Sequence, residues 1–200
     1  MIHQINTIKR DQNCVAPQYF VRHGECQSNV RWPIPNYLDS NDTLTSRGRD
    51  QACRAARTIQ HFNDEHNAQY IPAAVFCSTL TRARETCAMI CECIGAPTSV
   101  VYDDRLREYG GEDEGYPKFI SRVAAFLEEA DRSTHPMIVV THGHTMQAVL
   151  TLKTGALNGS HVRRLVSAEI RNGGVSVFRQ QTLLHWNAAV GQGKAGATRS

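Results

Sequence analysis

Four polar segments carry side chains suited to phosphate chemistry, and each follows a short run of apolar residues. They hold Arg22-His23, Arg82, Glu108 and His142. Arginine and histidine donate hydrogen bonds to anionic oxygens, and a neutral imidazole is also a nucleophile. If the apolar runs are parallel strands, their carboxyl ends meet at one edge of a sheet, where such folds bind ligands. This pattern indicates an anion site that contains a nucleophile.

Transfer of a phosphoryl group is the chemistry that best fits these side chains. It needs positive donors around three oxygens and a nucleophile in line with the leaving oxygen. His23 would be the nucleophile, and Arg22, Arg82 and His142 would hold the oxygens. Their positive charges also disfavour protonation of His23, which keeps its imidazole neutral and reactive.

The apolar runs themselves predict an α/β fold. They cover residues 18–21, 73–77, 99–102 and 137–141. Their near-continuous apolarity is typical of strands buried on both faces of a parallel sheet. Because helix-like segments alternate with them, we expect a three-layer αβα sandwich with a mostly parallel central sheet. Two further runs, 175–178 and 182–186, predict a closing hairpin at an edge of the sheet.

Apolar spacing and capping residues predict four helices. The first follows Thr45 or Ser46 as N-cap, the second ends at Gly95, the third opens at Pro117 and the fourth begins near Met146. The residues expected to face the core are Ala52, Ala55, Ala56 and Ile59; Ala83, Cys87, Ile90, Cys91 and Ile94; Phe119 or Ile120, Val123, Ala124 and Leu127; and Met146, Val149 and Leu150.

Length and composition favour one globular domain. The chain has 200 residues, 41% of them hydrophobic and 20% charged, with a formal net charge of +3. We expect an N-terminal extension over residues 1–16, one domain over 17–190 and a flexible tail over 191–200. No basic run suggests a nucleic-acid partner, no secretory signal is visible, and no stretch approaches the roughly 20 apolar residues of a membrane helix. A reduced, cytoplasmic compartment is expected.

Neither the cysteines nor the histidines form a convincing metal motif. The spacing of Cys87, Cys91 and Cys93 is not the paired C-x-x-C of a zinc site, so we expect these three to pack in the core. His142-x-His144 begins a dinuclear zinc motif of metallo-β-lactamase-like hydrolases. That motif continues with Asp-His, where this chain has Met-Gln. We therefore expect no metal and no cofactor, and place His144 in the first turn of a helix near the rim of the site.

Five motifs, in order along the chain, resemble those of the histidine phosphatase superfamily, which includes phosphoglycerate mutases. The resemblance runs from about Tyr19 to Asn187. The matching segments are 19–25 (YFVRHGE) with Asn29, 44–52 (LTSRGRDQA), 77–86 (CSTLTRARET), 106–108 (LRE) and 140–143 (VTHG). Each fragment is weak by itself, whereas five in order, each at a predicted strand end or helix start, form a specific pattern.

The resemblance implies a role for each matching residue. His23 would become the phosphohistidine, with Nδ1 held by a backbone carbonyl so that Nε2 faces phosphorus. Phosphoryl oxygens would be bound by Arg22, Arg82 and His142, assisted by the Asn29 amide and the Gly143 backbone N–H. Glu108 would protonate the leaving oxygen and then act as base for the hydrolytic water. The implied activity is that of a metal-independent phosphoric monoester hydrolase of the histidine acid type.

The sequence departs from the family in two places. Cys26 stands where many relatives carry Ser or Thr, and a thiol is a weaker donor to phosphate. Segment 109–116 (YGGEDEGY) is shorter than the insert of phosphoglycerate mutases, which favours hydrolysis over mutase chemistry. A phosphate-binding module without turnover and a mutase-type phosphotransferase stay open as alternatives, and an acid of the 112–114 segment could replace Glu108.

The substrate cannot be chosen from the sequence. We expect a small phosphate ester or a phosphoprotein as partner, with specificity set by residues 29–43 and 109–116. Trp32, Tyr37 and Tyr109 could stack on a base or a sugar, although packing is the simpler hypothesis. The oligomeric state is open, a homodimer being one possibility.

Overall fold

A mixed sheet of six strands forms the centre of the protein. The computed structural model describes residues 16–30, 41–65, 72, 74–95, 99–155 and 170–189. The expected N-terminal extension, except for Ala16, and the expected tail lie outside the described residues. The strands are β1 (Pro17–Arg22), β2 (Ala74–Cys77), β3 (Val100–Tyr102), β4 (Met137–Thr141), β5 (Val175–Arg179) and β6 (Thr182–Ala188).

The strand order is β3-β2-β4-β1-β5-β6. The first four are parallel, and β5 and β6 pair antiparallel at one edge. The predicted mostly parallel sheet and its closing hairpin are therefore confirmed. In register, Arg22 pairs with Thr141 and Cys77 with Val140. Because Arg22, Cys77 and Thr141 end their strands, the segments that follow β1, β2 and β4 leave the sheet side by side.

Helices cover both faces of this sheet. In the described residues they are α1 (Gln27–Val30), α2 (Ser46–Glu65), α3 (Thr81–Ile94), α4 (Tyr116–Ala130) and α5 (Gly143–Thr154), with 3₁₀ turns at Asp104–Leu106 and Gly111–Asp113. Alternation along β1 shows the layers: Tyr19 and Val21 pack with α2 and α3, whereas Phe20 packs with α4 and α5. The three-layer αβα sandwich is confirmed.

The predicted helix ends also hold. Thr45 Oγ1 accepts a hydrogen bond from Gly48 N at 3.0 Å, so Thr45 caps α2. Gly95 ends α3 with a φ of 67°, a left-handed conformation that suits glycine. Pro117 lies in the first turn of α4. None of the helices in the described residues is long and apolar enough to cross a membrane.

Two details of the expected core are wrong. Ala124 is half-buried, and Phe126, two residues further along α4, is fully buried instead. Of the three clustered cysteines only Cys87 is fully buried, while Cys93 is exposed. Cys93 lies six residues after Cys87 in α3, so it does not fall on the buried face of that helix. Its Sγ is 3.2 Å from that of Cys53 on α2.

Candidate active site

His23 follows β1 directly and is buried, with 3% of its surface exposed. Its Nδ1 lies 2.7 Å from the Gly24 carbonyl oxygen, which can only accept, so Nδ1 carries the proton. Nε2 then presents its lone pair and accepts from Arg82 Nε at 3.3 Å. Burial lowers the pKa of His23 well below its ordinary value, and the charges of Arg22 and Arg82 lower it further. The imidazole is therefore neutral, with burial rather than the predicted arginine charges as the main cause.

Arg82 reaches His23 from the first turn of α3. It is 2% exposed, so its side chain lies inside the protein. Its Nη1 lies 3.7 Å from Asp42 Oδ2, and the carboxylate is equally buried. A buried guanidinium needs such a counter-charge, because an isolated buried charge is very costly. Asp42, which also accepts from Ser28 N at 3.0 Å, was missed by the sequence analysis; a lone Asp before a helix motif gives no signal of its own.

His142 completes the buried group between β4 and α5. Its ring centroid lies 5.1 Å from that of His23, and Nε2 is 2.8 Å from the Ser78 hydroxyl. Burial lowers the pKa of His142 well below its ordinary value, followed by the effects of His23, Arg82 and Arg22. Its Nδ1 is buried and makes no hydrogen bond to the part of the chain that the structure describes.

Arg22 connects this group to the start of α5. Its guanidinium donates to the Ile170 carbonyl oxygen, and its Nε would lie 3.7 Å from a Cβ placed on Gly143. The Glu108 Oε2 atom would lie 3.9 Å from the same point. Arg22, Gly143 and Glu108 therefore border one region. We call Arg22, His23, Arg82 and His142 the histidine–arginine cluster.

Glu108 approaches the cluster from a different part of the chain, residues 104–115, which we call the acid loop. Its Oε1 accepts from Tyr109 N at 3.0 Å and His144 N at 3.2 Å, and lies 3.3 Å from His144 Nδ1. Burial alone raises the pKa of Glu108, but His144, the Tyr109 amide and Arg22 together lower it below its ordinary value. The same contact raises the pKa of His144.

The other acids of this loop are placed differently. Glu112 and Asp113 are exposed in a 3₁₀ turn, and Glu114 pairs with Arg122 on α4. Among the acids of this loop, Glu108 is thus the carboxylate that borders the same region as Arg22.

Glycine allows the loop that carries His23 to contact α2 closely. A Cβ on Gly24 would overlap the Gly48 carbonyl, and a Cβ on Gly48 would overlap the Glu25 carbonyl. Gly24 N also donates at 3.0 Å to Thr86 Oγ1, which in turn donates at 2.7 Å to the carbonyl of Arg82 one turn earlier. Both helices of this face therefore fix the His23 loop.

Cys26 and Asn29 follow His23 along the chain, and Asn29 lies in α1. Asn29 Oδ1 accepts from Cys26 N and from Asn172 Nδ2, each at 3.1 Å, so only its NH₂ group could meet phosphate. Cys26 Sγ donates to the same oxygen. Asn172, which also donates to the His23 carbonyl at 3.2 Å, was missed. The Asn-Gly-Gly turn signal before β5 could have drawn attention to it.

The two histidines of the H-x-H segment point in different directions. His142 contacts Ser78 inside the protein, whereas the His144 side chain is 61% exposed and contacts Glu108. Among the described residues, no group of three or more His, Cys, Asp or Glu side chains is arranged to hold a metal ion.

Comparison with known proteins gives a family model and several similar sequences. The family model described as the histidine phosphatase superfamily (branch 1) matches residues 18–118. A protein of Hydrogenobacter thermophilus named "Putative phosphoserine phosphatase 2" is 29% identical over 170 residues, 68% of this chain and 78% of its own length. "Probable phosphoglycerate mutase GpmB" of Escherichia coli is 33% identical over 90 residues, but the match spans 45% of this chain and only 36% of that protein.

Solved structures share the fold. A mycobacterial glucosyl-3-phosphoglycerate phosphatase in complex with VO3 superposes with a TM-score of 0.64 at 21% identity, over 88% of this chain and all of that one. A mutant phosphoserine phosphatase of Entamoeba histolytica in complex with phosphoserine gives 0.63 at 16% identity, over 87% and 98% of the two chains. At these identities the similarity concerns the fold alone.

Proposed function

We propose that this chain, which belongs to the histidine phosphatase superfamily (branch 1), hydrolyses phosphomonoesters through a phosphohistidine on His23 and without a metal. The observation that carries the proposal is the state of the His23 ring. Its Nδ1–H is held by the Gly24 carbonyl, and its Nε2 lone pair faces a buried guanidinium. A basic nitrogen beside a fixed cation is suited to attack on an anionic phosphorus centre.

In the first step, Nε2 of His23 forms a bond to phosphorus while the bond from phosphorus to the leaving oxygen breaks. Arg22, Arg82 and His142 would bind the three remaining oxygens as charge develops on them. The proton of a protonated Glu108 passes to the leaving oxygen, and the alcohol departs. Without substrate, the pKa of Glu108 is lowered, so its carboxyl group is ionised near neutral pH. Glu108 must therefore gain its proton when the substrate binds, because the phosphate dianion raises the pKa of a nearby carboxyl.

In the second step, water attacks the phosphohistidine. The Glu108 carboxylate accepts a proton from that water, the N–P bond breaks and inorganic phosphate leaves. The electron pair of the N–P bond returns to Nε2, which restores neutral His23. Glu108 thus acts as acid and then as base in successive steps, as microscopic reversibility suggests for a shared site.

The substrate class that we propose is a small phosphate ester or a phosphoprotein. Two similar proteins are named phosphoserine phosphatases, which makes phosphoserine the first ester to test. The partial similarity to a phosphoglycerate mutase keeps phosphoryl transfer between hydroxyls as a second candidate. The short acid loop, with only Tyr109 to Gly115 between Glu108 and α4, favours hydrolysis, because it leaves little chain to enclose a diphosphorylated intermediate.

The test is a release assay for inorganic phosphate over p-nitrophenyl phosphate, phosphoserine, other phosphorylated metabolites and phosphopeptides, all in EDTA. We expect turnover by the wild type and a loss of at least about 10³-fold in His23→Ala. His135→Ala is the matched control, because His135 is exposed and precedes β4, at the opposite end of that strand from His142.

Three outcomes would contradict the proposal. Full activity in His23→Ala would exclude the nucleophile, and loss of activity in EDTA would indicate a metal. Binding of phosphate esters with no turnover of any would support a binding module instead. Incubation with 3-phosphoglycerate separates the mutase candidate, since a mutase would yield its isomer where a phosphatase yields glycerate and phosphate.

A further inference from the structure

One guanidinium from α4 lies at the centre of the acid loop. Arg122 Nη1 donates to the carbonyl oxygens of Arg105 and Arg107 at 2.8 and 2.7 Å, and Nη2 donates to that of Glu108 at 3.0 Å. Its Nε and Nη2 donate to the two carboxylate oxygens of Glu114 at 2.5 and 2.9 Å. The Arg122 side chain is only 18% exposed. A single planar group therefore satisfies five acceptor atoms.

These acceptors lie on both sides of Glu108 in the chain. Glu114 Oε2 also accepts from Gly110 N at 2.9 Å, so the loop is tied to Arg122 before and after Glu108. The 3₁₀ turn at 104–106 leaves carbonyls without a partner inside a helix, and buried carbonyls must find one elsewhere. Arg122 is that partner for the carbonyl oxygens of Arg107 and Glu108. Thr141 Oγ1 donates to the carbonyl oxygen of Leu106 at 2.7 Å.

We propose that Arg122 is a positioning residue that holds the backbone of Glu108 where its carboxyl group can reach the leaving oxygen. The inference rests on the proposed function. Contacts from Tyr109 and His144 orient the Glu108 carboxylate, but they do not fix the position of the Glu108 backbone. An error of about 1 Å in the position of an acid can lower a rate by about 10²-fold.

Lysine cannot take the place of arginine here. An ammonium has three donors around one point, whereas the guanidinium has five donors in a rigid plane. Arg122→Lys keeps the positive charge opposite Glu114. Its ammonium group cannot donate both to the three backbone carbonyls and to the Glu114 carboxylate. The variant therefore tests the geometry of the contact while retaining its charge.

The experiment compares two leaving groups in Arg122→Lys, Glu114→Gln and Glu108→Gln. p-Nitrophenolate leaves with little help from an acid, whereas the alkoxide of phosphoserine or glycerol phosphate needs a proton. If Arg122 positions the acid, kcat for the alkyl ester falls about 10- to 100-fold in Arg122→Lys. With p-nitrophenyl phosphate it falls by less than about threefold. Glu114→Gln should also lower kcat more for the alkyl ester than for p-nitrophenyl phosphate, with smaller losses than in Arg122→Lys.

Two further proteins make the result specific. Arg105→Lys is the matched control: Arg105 lies in the same loop, its guanidinium bonds Asp103 and Glu129, and we expect the ratio of the two rates to stay at the wild-type value. The double variant Arg122→Lys/Glu108→Gln should hydrolyse the alkyl ester no more slowly than Glu108→Gln alone, because an acid that is absent cannot be misplaced.

A purely structural Arg122 would give a different pattern. Equal losses of kcat on both esters, or additive losses in the double variant, would overturn the inference about Arg122. The proposed function would still be supported if the wild type shows turnover and His23→Ala loses it. If Arg122→Lys does not fold, as judged by circular dichroism, Glu114→Gln decides the question by the same comparison. Absence of wild-type turnover would instead count against the proposed function itself.

Discussion

The two halves of the candidate site are built in different ways. The histidine–arginine cluster follows strand ends or begins a helix, and His23, Arg82 and His142 are at most 3% exposed. The acid loop has no strand, contains two short 3₁₀ turns, and is held by side chains from α4 and α5 that donate to its backbone carbonyls. The half that would bind the phosphoryl group is therefore part of the core. The half that would supply the proton is attached to it by hydrogen bonds.

This difference predicts how the halves respond to mutation. Changes in the cluster should affect every substrate, because every substrate carries the same phosphoryl group. Changes in the acid loop should depend on the leaving group and on pH. Four variants test this division, in order of the size of their expected effects.

Arg82→Ala should have the largest effect. Removing a preorganised donor to developing charge lowers kcat by about 10²- to 10³-fold, here equally for aryl and alkyl esters. The variant should also be less stable by about 3–5 kcal/mol, because Asp42 loses its buried counter-charge. Chemical denaturation and steady-state kinetics measure the two effects. Adding Asp42→Asn should restore much of the stability and none of the activity; joint recovery would show that Arg82 acts only in folding.

Glu108→Gln should come next. We expect kcat to fall about 10²-fold for alkyl phosphates and far less for p-nitrophenyl phosphate, since a good leaving group needs no proton. Steady-state rates on the two esters provide the measurement. Glu112→Gln, an exposed acid of the same loop, is the control. Equal slowing of both esters in Glu108→Gln would mean that Glu108 positions groups without donating a proton.

His144→Gln should shift the pH profile more than the maximal rate. Glu108 is active as an acid when protonated, so activity falls as pH rises through its pKa. Burial raises that pKa while His144 contributes most to lowering it. Loss of His144 should therefore raise the Glu108 pKa and move the alkaline limb of kcat/KM to higher pH. The acid limb should stay in place, because it reports His23, whose pKa is already well below 6.5. A downward shift, or none, would contradict the assignment.

Cys26→Ser should change least. The thiol donates to Asn29 Oδ1 at 3.1 Å, and burial together with Asp42 raises its pKa to about 11. It is therefore a neutral group that a hydroxyl can replace, and KM should change by less than about threefold. A larger fall in KM would show that a hydroxyl at this position binds the phosphoryl group directly.

The same division explains what the sequence could predict. Strands with near-continuous apolarity placed His23 and His142 at the sheet edge, because the segment after a strand is fixed by the strand. The partners of these residues come from distant parts of the chain: Asp42 meets Arg82, and Asn172 meets the His23 carbonyl across 149 positions. Such pairs depend on the final packing, which residue spacing does not encode. The proposed role of Arg122 is hidden for the same reason, since three of its five contacts are to backbone carbonyls, which carry no residue type.

Part of the specificity hypothesis stays a prediction. Residues 31–40, which include Trp32 and Tyr37, lie outside the described residues. Tyr109 is described, and its ring centroid lies 5.1 Å from that of Phe119, 6.2 Å from that of Tyr116 and 6.1 Å from that of His144. It therefore packs among aromatic neighbours beside Glu108, as the simpler hypothesis expected.

Arg82 and Thr86 lie one turn apart on α3, and through them that helix contacts both the His23 ring and the Gly24 amide. The spacing between the His23 ring and the Arg82 guanidinium is thus set by helical pitch, which loop insertions elsewhere leave unchanged. Under the proposed function, a change of substrate would therefore need changes only in the surface segments, and the distance between the reacting groups would stay the same.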